Sequence, residues 1–204
     1  MASTRSIVLR ALVAVSCAAA FAEPARAQNV GQDPAADTLV GNPRSLWCAD
    51  TVIVVPDGSL DRAVYIEAVA FWQKQIPSLT FVIRDSVDAR SRDHTLPVLW
   101  GTYTPAQEND CRRGSCYYGW FLVGPIVSRI GSQVQSCHVN SSILIYDRLY
   151  NQPAEGQTQL ITHEIGHALG LLHKNGTIMQ SFGQTSVLDP QQRAWLEAMY
   201  GKKP

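Results

Sequence analysis

The segment HEIGHALGLLH, residues 163–173, brings three of the chain's five histidines close together. His163 and His167 are four residues apart, so on a helix their imidazoles project from one face, one turn apart. Two neutral imidazole nitrogens at this separation can bind one Zn²⁺ ion. Glu164 lies on the adjacent edge of the helix, where it can reach a water on that ion without becoming a ligand.

A third ligand follows from the residues after this helical turn. Gly170 stands where a helix can end in the left-handed conformation that glycine adopts at little cost. The chain then reverses, and His173 can return as a ligand from outside the helix. Three protein ligands with an open fourth position are typical of catalytic zinc. A buried helix with satisfied histidines would explain the apolar residues here, but not three histidines and a glutamate at ligand spacing.

A helix is predicted before this segment, over residues 59–75. Ser59 or Asp61 can cap its start, and Pro77 stops it. A last helix is predicted over residues 189–201, with Asp189 as N-cap, Pro190 as first helical residue and Gly201 at its end. The apolar residues that recur at helical spacing in the first helix, and so indicate one of its faces, are Ala63, Ile66, Ala70 and Phe71.

The remaining elements are strands and the histidine helix. That helix is predicted to begin near Gln157 or Thr158. The order of the elements predicts an α+β fold with helices packed on a mostly parallel, twisted sheet. That order is strand, helix, several strands, helix, loop and helix. The strand-like segments, β-branched or aromatic and bounded by turn residues, are 51–55, 79–85, 95–103, 116–124 and 141–149.

Residues 1–27 have the pattern of a secretory signal peptide. Arg5 and Arg10 precede the apolar run ALVAVSCAAAFA, which is too short to span a bilayer, and the small residues of PARA precede a predicted cleavage before Gln28. The sequence therefore predicts a secreted or periplasmic protein. The alternatives are an N-terminal helix of the folded protein and a lipoprotein anchored through Cys17.

Four cysteines remain after residue 27, and an even number in an exported protein indicates disulfides. We favour Cys111–Cys116, which closes the short polar loop CRRGSC, and Cys48–Cys137. One alternative is four free buried thiols. Another gives Cys48 as a fourth zinc ligand in a latent form.

Composition excludes several function classes. The chain is 46% hydrophobic and 17% charged with a net charge of zero, which is typical of a soluble globular domain. No basic cluster indicates a nucleic-acid or membrane partner, and we expect a monomer. Residues 28–45 are rich in Gly, Pro, Asp and Asn, which predicts a flexible segment before a single domain over residues 46–204.

Two other histidines and two tryptophans are not assigned to a site. His94 and His138 lie in polar stretches, RDHT and CHVN, and are predicted to be surface residues. Trp72 and Trp195 lie on helical faces and are predicted to pack in a core or interface.

HEIGHALGLLH, followed by Met179 in GTIMQ, resembles the signature of the metzincin clan of zinc endopeptidases. Within the clan, the chain most resembles the matrixin branch and its bacterial relatives. AVYIEAVAFWQKQIPSLTF is similar to the first helix and second strand of that family, and LDPQQRAWLEAMYG is similar to its C-terminal helix. The resemblance covers about residues 50–201 and is most specific over residues 163–179.

The resemblance implies a single zincin-like catalytic domain. Its α+β fold would contain a twisted, mostly parallel sheet with one antiparallel edge strand, two long helices and a C-terminal helix. Met179 would lie in a turn below the zinc site, whereas without the family it is simply a core methionine. The loop 176–187 would form a wall of the substrate pocket. One catalytic Zn²⁺ is implied, and calcium is not.

The chain departs from the family at several places. Only six positions separate His173 from Met179, Lys174 stands where matrixins carry serine, and Ser181 stands where some branches carry tyrosine. Neither a cysteine-switch motif nor the calcium and second zinc sites of animal matrixins are evident. These departures bear on the subfamily rather than on the clan.

Together these features predict a secreted zinc-dependent endopeptidase. Zinc held by the three histidines would acidify water and polarise the scissile carbonyl, and Glu164 would act as general base. A protein or peptide substrate would lie along an edge strand, for which residues 116–124 are the candidate. The alternative is a secreted zinc-containing binding module without proteolytic activity, in which Lys174 and the short turn crowd the open coordination site.

Overall fold

A computed structural model describes the chain from residue 40 to residue 201, apart from short gaps. The predicted signal peptide and residues 28–39 of the predicted flexible segment lie outside the described residues. Within the described part, no helix is both long and apolar enough to cross a membrane. The described residues are 40–43, 45–86, 89–114, 116, 118–130, 134–180 and 186–201.

The described chain alternates strands and helices. In chain order its elements are β1 (Thr51–Val55), α1 (Arg62–Gln75), β2 (Thr80–Ile83), a 3₁₀ helix (Ala89–His94), β3 (Thr95–Gly101), α2 (Pro105–Arg112), β4 (Gly119–Leu122), β5 (Ile126–Ile130), β6 (Val134–His138), β7 (Ser142–Tyr146), α3 (Asp147–Tyr150), α4 (Ala154–Ala168) and α5 (Pro190–Tyr200).

Five strands form one sheet in the order β2-β1-β3-β7-β4. The first four are parallel to one another, and β4 pairs antiparallel with β7 at the edge. Parallel neighbours need crossover connections, and α1 supplies the one between β1 and β2. The predicted α+β fold is confirmed: a mostly parallel sheet with one antiparallel edge strand, two long helices and a C-terminal helix.

The hydrophobic core lies between this sheet and helices α1, α4 and α5. Apolar side chains of the central strands alternate inward, as Val98 and Ile143 do where β3 pairs with β7. The largest fully buried side chains of the described residues are Trp72, Tyr65, Leu96, Ile143, Ile145, Leu149, Ile161, Ile165, Leu169, Leu171, Met179 and Leu196.

Helix α1 begins as predicted, because Asp61 accepts a hydrogen bond from the Ala63 backbone N–H at 2.9 Å. Its predicted face is wrong. Ala63, Ile66 and Ala70 are exposed and Phe71 is half-buried, whereas the buried face consists of Val64, Tyr65, Ala68, Val69 and Trp72.

The two faces of α1 have the same helical period, so periodicity alone does not choose between them. The choice follows from two large aromatic side chains whose polar atoms find partners in the interior. Tyr65 OH donates to Asp57 Oδ1 at 3.1 Å, and Trp72 Nε1–H donates to the Thr162 carbonyl at 2.9 Å. These bonds make the burial of both rings favourable.

The 3₁₀ helix, helices α2 and α3, and strands β5 and β6 were not predicted from the sequence. Helix α3 begins at Asp147, where the predicted strand 141–149 was expected to continue. Helix α2 has a local signal, because Thr104 and Gln107 form a reciprocal capping box and Pro105 occupies the first helical position. Strands β5 and β6 form a separate antiparallel pair. No strand is predicted between the predicted strands 116–124 and 141–149, where both β5 and β6 lie.

Both favoured disulfides, Cys48–Cys137 and Cys111–Cys116, are present. The first links the start of the domain to β6, over a sequence separation of 89 residues. Cys48 is therefore not available as a fourth zinc ligand, and the alternative of free thiols does not hold for these residues.

Candidate metal centre

Helix α4 carries three of the predicted site residues. It begins at Ala154, earlier than the predicted start near residues 157–158, and its N-cap is Pro153. Gly156 lies in the first turn and has a low helix propensity, which explains why the helix was predicted to begin too late in the sequence. His163, Glu164 and His167 all fall in its second half, so the spacing argument applies to them as predicted.

A glycine lets α4 pack closely against the residues below it. A Cβ at Gly166 would overlap Met179 Sδ and lie 3.0 Å from Trp72 Cζ2. Met179 is fully buried. It therefore packs against α4 between His163 and His167, below the site as the resemblance implied.

The helix ends in a bend at Gly170, whose φ is +92°. The Gly170 N–H donates to the His167 carbonyl at 2.9 Å, and the Leu171 N–H donates to the Gly166 carbonyl at 3.0 Å. These bonds close the C-terminal end of the helix. His173 lies beyond the bend, outside the helix, as predicted.

Residues from the start of the described chain hold this bend from outside. The Asn42 N–H donates to the Gly170 carbonyl at 2.7 Å, and the Leu172 N–H donates to the Val40 carbonyl at 3.2 Å. Trp195 of α5 packs on the same bend, since its Cη2 would lie 2.9 Å from a Cβ at residue 170. The last part of the predicted flexible segment is thus bonded to the backbone that leads to the third histidine.

The three predicted ligands converge on one point. His167 Nε2 lies 3.0 Å from His163 Nε2 and 3.0 Å from His173 Nε2, and the third pair is 3.3 Å apart. Tetrahedral coordination with Zn–N bonds of about 2.0–2.1 Å places nitrogens about 3.3–3.4 Å apart. The three histidines can therefore hold a metal ion.

The opposite ring nitrogens fix the direction of two of the imidazoles. His163 Nδ1 lies 2.8 Å from the Ile178 carbonyl oxygen, and His167 Nδ1 lies 2.8 Å from the Leu171 carbonyl oxygen. A carbonyl oxygen only accepts, so each Nδ1 carries a proton and donates. Each Nε2 then keeps a lone pair for a metal, the arrangement that supports histidine ligands in general.

Burial keeps these imidazoles neutral. It lowers the pKa of His163 to about 4, with a further lowering from nearby His173. Burial also lowers the pKa of His167 well below its ordinary value. Partial desolvation of the His173 ring lowers its pKa as well, although the residue as a whole is exposed. Neutral imidazole is the form that binds metals. Exposure increases from buried His163 through His167 to exposed His173, so the centre opens to solvent on the His173 side.

Glu164 is buried beside the first histidine. Burial raises the pKa of its carboxyl group to about 8, and a hydrogen bond from the Phe121 backbone N–H, which lowers the pKa, offsets only part of that effect. Its Oε2 atom accepts no hydrogen bond from any residue that the structure describes. Such an atom is costly to bury unless water or a ligand reaches it.

Lys174, the residue after the third histidine, turns away from the centre. Its Nζ lies 2.5 Å from Asp189 Oδ2 and 2.6 Å from Gln191 Oε1, at the start of α5. Its backbone N–H donates to the Met179 carbonyl at 3.0 Å, and its carbonyl accepts from Thr177 Oγ1 at 2.8 Å. The side chain and backbone of Lys174 therefore close the short loop that follows His173.

The prediction that His138 is a surface residue is wrong. His138 is 2% exposed, and its Nε2 lies 2.7 Å from the Ala168 carbonyl oxygen at the end of α4. The polar neighbours in CHVN suggested solvent, but Ser141 is itself buried and bonds to His138 Nδ1 at 2.7 Å. His94, the other predicted surface histidine, is half-buried at the end of the 3₁₀ helix and outside the metal cluster.

Part of the predicted pocket wall lies outside the described residues. Within the loop 176–187 these are residues 181–185, which include Ser181. The described end of the loop is tied to the centre, because the Ile178 N–H donates to the Val187 carbonyl at 2.8 Å.

No protein-family model matches the chain, and no curated protein matches it in sequence. Among solved structures, the chain is similar to that of myroilysin, with 12% sequence identity and a TM-score of 0.42 over 81% of this chain and 99% of the myroilysin chain. At this identity and TM-score, the case for a metal site comes from this chain's own residues.

Proposed function

We propose that this protein is a secreted zinc-dependent endopeptidase that hydrolyses peptide bonds in a protein or peptide substrate. The observation that carries the proposal is the combination of three convergent histidines with Glu164, whose buried Oε2 has no partner among the described residues. A site that only binds metal has no use for a buried carboxyl group left unsatisfied beside it, because that group costs stability. A general base requires such a group.

The proposed metal ligands are His163, His167 and His173, with one catalytic ion. Imidazole nitrogens suit zinc and other transition metals, whereas calcium and magnesium prefer oxygen ligands. Three protein ligands leave a coordination position open for chemistry. When bound, zinc supplies Lewis-acid chemistry: it polarises a carbonyl, acidifies water, and by its charge favours the ionised form of Glu164.

Glu164 is the proposed general base. Its carboxylate takes the proton from the attacking water and then delivers it to the departing amine. The Phe121 N–H holds the carboxyl group in place. The apolar surroundings that bury it exclude bulk water, which strengthens its interaction with charge that develops in the reaction.

Strand β4 is the proposed substrate-binding strand. It borders the centre through the Phe121–Glu164 bond, and Gly119 packs on α4, since a Cβ there would lie 2.9 Å from Leu160 Cδ2. One side of β4 pairs with β7, and no described strand pairs with its other side. An extended peptide can add to this free edge through main-chain hydrogen bonds.

We also propose that the chain is an exported metzincin-type peptidase. Support comes from the HEIGHALGLLH segment, from Met179 packed under α4, and from two disulfides, which form in oxidising compartments. The matrixin branch stays a prediction, as does the signal peptide.

The position of Lys174 weakens the case for a binding module. That reading requires Lys174 to crowd the open coordination position, but its ammonium group is held by Asp189 and Gln191 on α5. An experiment separates the two functions. The purified protein and its Glu164→Gln variant are measured for zinc content and for cleavage of a broad library of quenched peptides and of casein.

We expect the wild-type protein to cleave peptides and to lose that activity with a chelator. The Glu164→Gln variant should keep one zinc per chain and lose activity by at least about 100-fold. Glu155→Gln is the matched control, because Glu155 is exposed in the first turn of the same helix. Zinc binding without turnover in the wild-type protein would favour the module, and a fully active Glu164→Gln variant would overturn the role of Glu164.

A further inference from the structure

We propose that His138 is a positioning residue for the metal centre, acting through the end of helix α4. The proposal rests on the metal site of the proposed function and adds a residue that touches none of the three ligands. His138 is buried at the end of β6, and its Nε2 lies 2.7 Å from the carbonyl oxygen of Ala168, the residue after the proposed ligand His167.

The hydrogen bonds around His138 allow one tautomer. The Ala168 carbonyl only accepts, so His138 Nε2 carries the proton and donates. Nδ1 then accepts from the Ser141 hydroxyl at 2.7 Å, and the Ser141 oxygen in turn accepts from the Gly124 N–H at 2.8 Å. Every donor in this chain of bonds has one acceptor, which defines the orientation of the His138 ring.

Ring contacts hold His138 from two further directions. Trp47 and Phe121 both contact it edge to face, with ring centroids 5.5 and 5.2 Å away. Its backbone N–H donates to the Leu46 carbonyl at 3.1 Å, and the preceding residue, Cys137, is in the disulfide with Cys48. The position of the His138 ring is therefore set by contacts outside α4, which makes it a rigid donor to the Ala168 carbonyl.

The Ala168 carbonyl needs such a donor because it belongs to the last turn of α4, where carbonyls have no partner within the helix. The next carbonyl, that of Leu169, accepts from Tyr200 OH at 2.8 Å. Two side chains from distant parts of the sequence thus hold the end of the helix just before the bend at Gly170.

The bend controls two of the three ligands. His167 Nδ1 donates to the Leu171 carbonyl, immediately after the bend, so a displaced bend re-aims the His167 ring. His173 follows two residues later, and its Nε2 must stay near the other two. Loss of the His138–Ala168 bond should therefore weaken metal binding rather than only lower the stability of the fold.

The test compares metal binding with stability in the full chain. His138→Phe keeps a ring between Trp47 and Phe121 but cannot donate to the Ala168 carbonyl. His138→Gln keeps a side-chain N–H donor. Ser141→Ala removes the bond that selects the tautomer, together with the acceptor of the Gly124 N–H. Leu79→Ala is the control, because Leu79 is buried in the core before β2 and its recorded hydrogen bonds, to Ile76 and Gln73, do not involve α4.

Zinc affinity is measured by competition with a chromophoric chelator, the geometry of the site by the visible absorption of the Co²⁺-substituted protein, and stability by thermal unfolding of the metal-free protein. We expect His138→Phe to bind zinc about 10-fold more weakly, with an altered Co²⁺ spectrum. His138→Gln should recover most of the affinity and Ser141→Ala should show a smaller loss. Leu79→Ala should lower the Tm without changing affinity or spectrum.

Wild-type zinc affinity and an unchanged Co²⁺ spectrum in His138→Phe would overturn the proposal, whatever the Tm of that variant. Should His138→Phe not fold, Ser141→Ala decides, and unchanged zinc affinity and Co²⁺ spectrum there would overturn it as well. A wild-type protein that binds no zinc would instead refute the metal site of the proposed function.

Discussion

His167 Nε2 and His173 Nε2 lie 3.0 Å apart, although the chain reverses between them. One histidine is in the last turn of α4 and the other is beyond it, so their separation depends on the bend at Gly170. The φ of +92° at this residue is one that side-chain-bearing residues adopt only with strain.

Gly170→Ala should therefore destabilise the protein and separate the ligands. A Cβ there would lie 2.9 Å from Trp195 Cη2 and 3.0 Å from the Ser45 carbonyl oxygen. These close contacts add to the backbone strain, so we expect the free energy of unfolding to fall by about 2–4 kcal/mol. We expect zinc affinity to fall as well. Gly58→Ala is the control, since Gly58 has a φ of +88° with no atom within 4 Å of such a Cβ. Equal losses in both variants would contradict the packing part of this prediction.

Zinc binding should depend on each of the three histidines, and removal of the zinc should lower the stability of the fold. We expect one zinc per chain by mass spectrometry, and less in alanine variants of His163, His167 or His173. A ligand that binds only the folded state at 100 times its Kd adds about 2.7 kcal/mol, so a chelator should lower the Tm of the wild-type protein. The same chelator should leave the Tm of His163→Ala almost unchanged. His94→Ala, outside the cluster, should retain its zinc; loss of zinc there would contradict the assignment.

Two buried tyrosines predict loss of stability at alkaline pH. Burial, and then the nearby Asp57 charge, raise the pKa of Tyr65 above its ordinary value of 10.0, and burial raises that of Tyr200. Above about pH 10 the unfolded chain loses these protons while the folded protein keeps them, so stability falls as the pH rises.

Thermal unfolding between about pH 8 and about pH 11.5 checks this expectation. Tyr65→Phe and Tyr200→Phe should each reduce the dependence of Tm on pH, because phenylalanine does not titrate. Tyr150→Phe is the control, since Tyr150 is 61% exposed. A pH dependence that neither buried variant reduces would contradict the attribution to these two residues.

The two disulfides should contribute unequally to stability. Cys48–Cys137 joins residues 89 apart and Cys111–Cys116 joins residues 5 apart. The chain-entropy argument gives about 4–5 kcal/mol for the longer loop and about 2 kcal/mol for the shorter one. Chemical denaturation of the two double serine variants measures the difference. A larger loss for Cys111→Ser/Cys116→Ser would contradict the prediction.

The residues of the metal centre could be predicted because their relationship is local. A spacing of four on a helix places His163 and His167 on one face whatever surrounds the helix, and glycine at position 170 allows the chain to reverse. The capping box at Thr104 and Gln107 was an equally local signal for α2 and could have been found.

Other features could not be predicted, because they depend on contacts between distant residues. Two faces of α1 had the right period, and burial was decided by partners of Tyr65 and Trp72 that lie elsewhere in the chain. From its polar neighbours Asn140 and Ser141, His138 is predicted to be a surface residue. It is buried because the end of α4 supplies an acceptor for its Nε2.

The amino-acid sequence by itself determined which side chains of this protein can bind a metal, the helix that carries two of them, and the glycine at which the chain turns back. The tertiary structure alone decided that the third imidazole meets the other two and that Glu164 is buried against Phe121. It also decided that Lys174 is held away from the centre by Asp189. The physical reason is that helical spacing and backbone freedom act within a few residues, whereas burial and hydrogen-bond partners are set by whichever distant segment packs alongside.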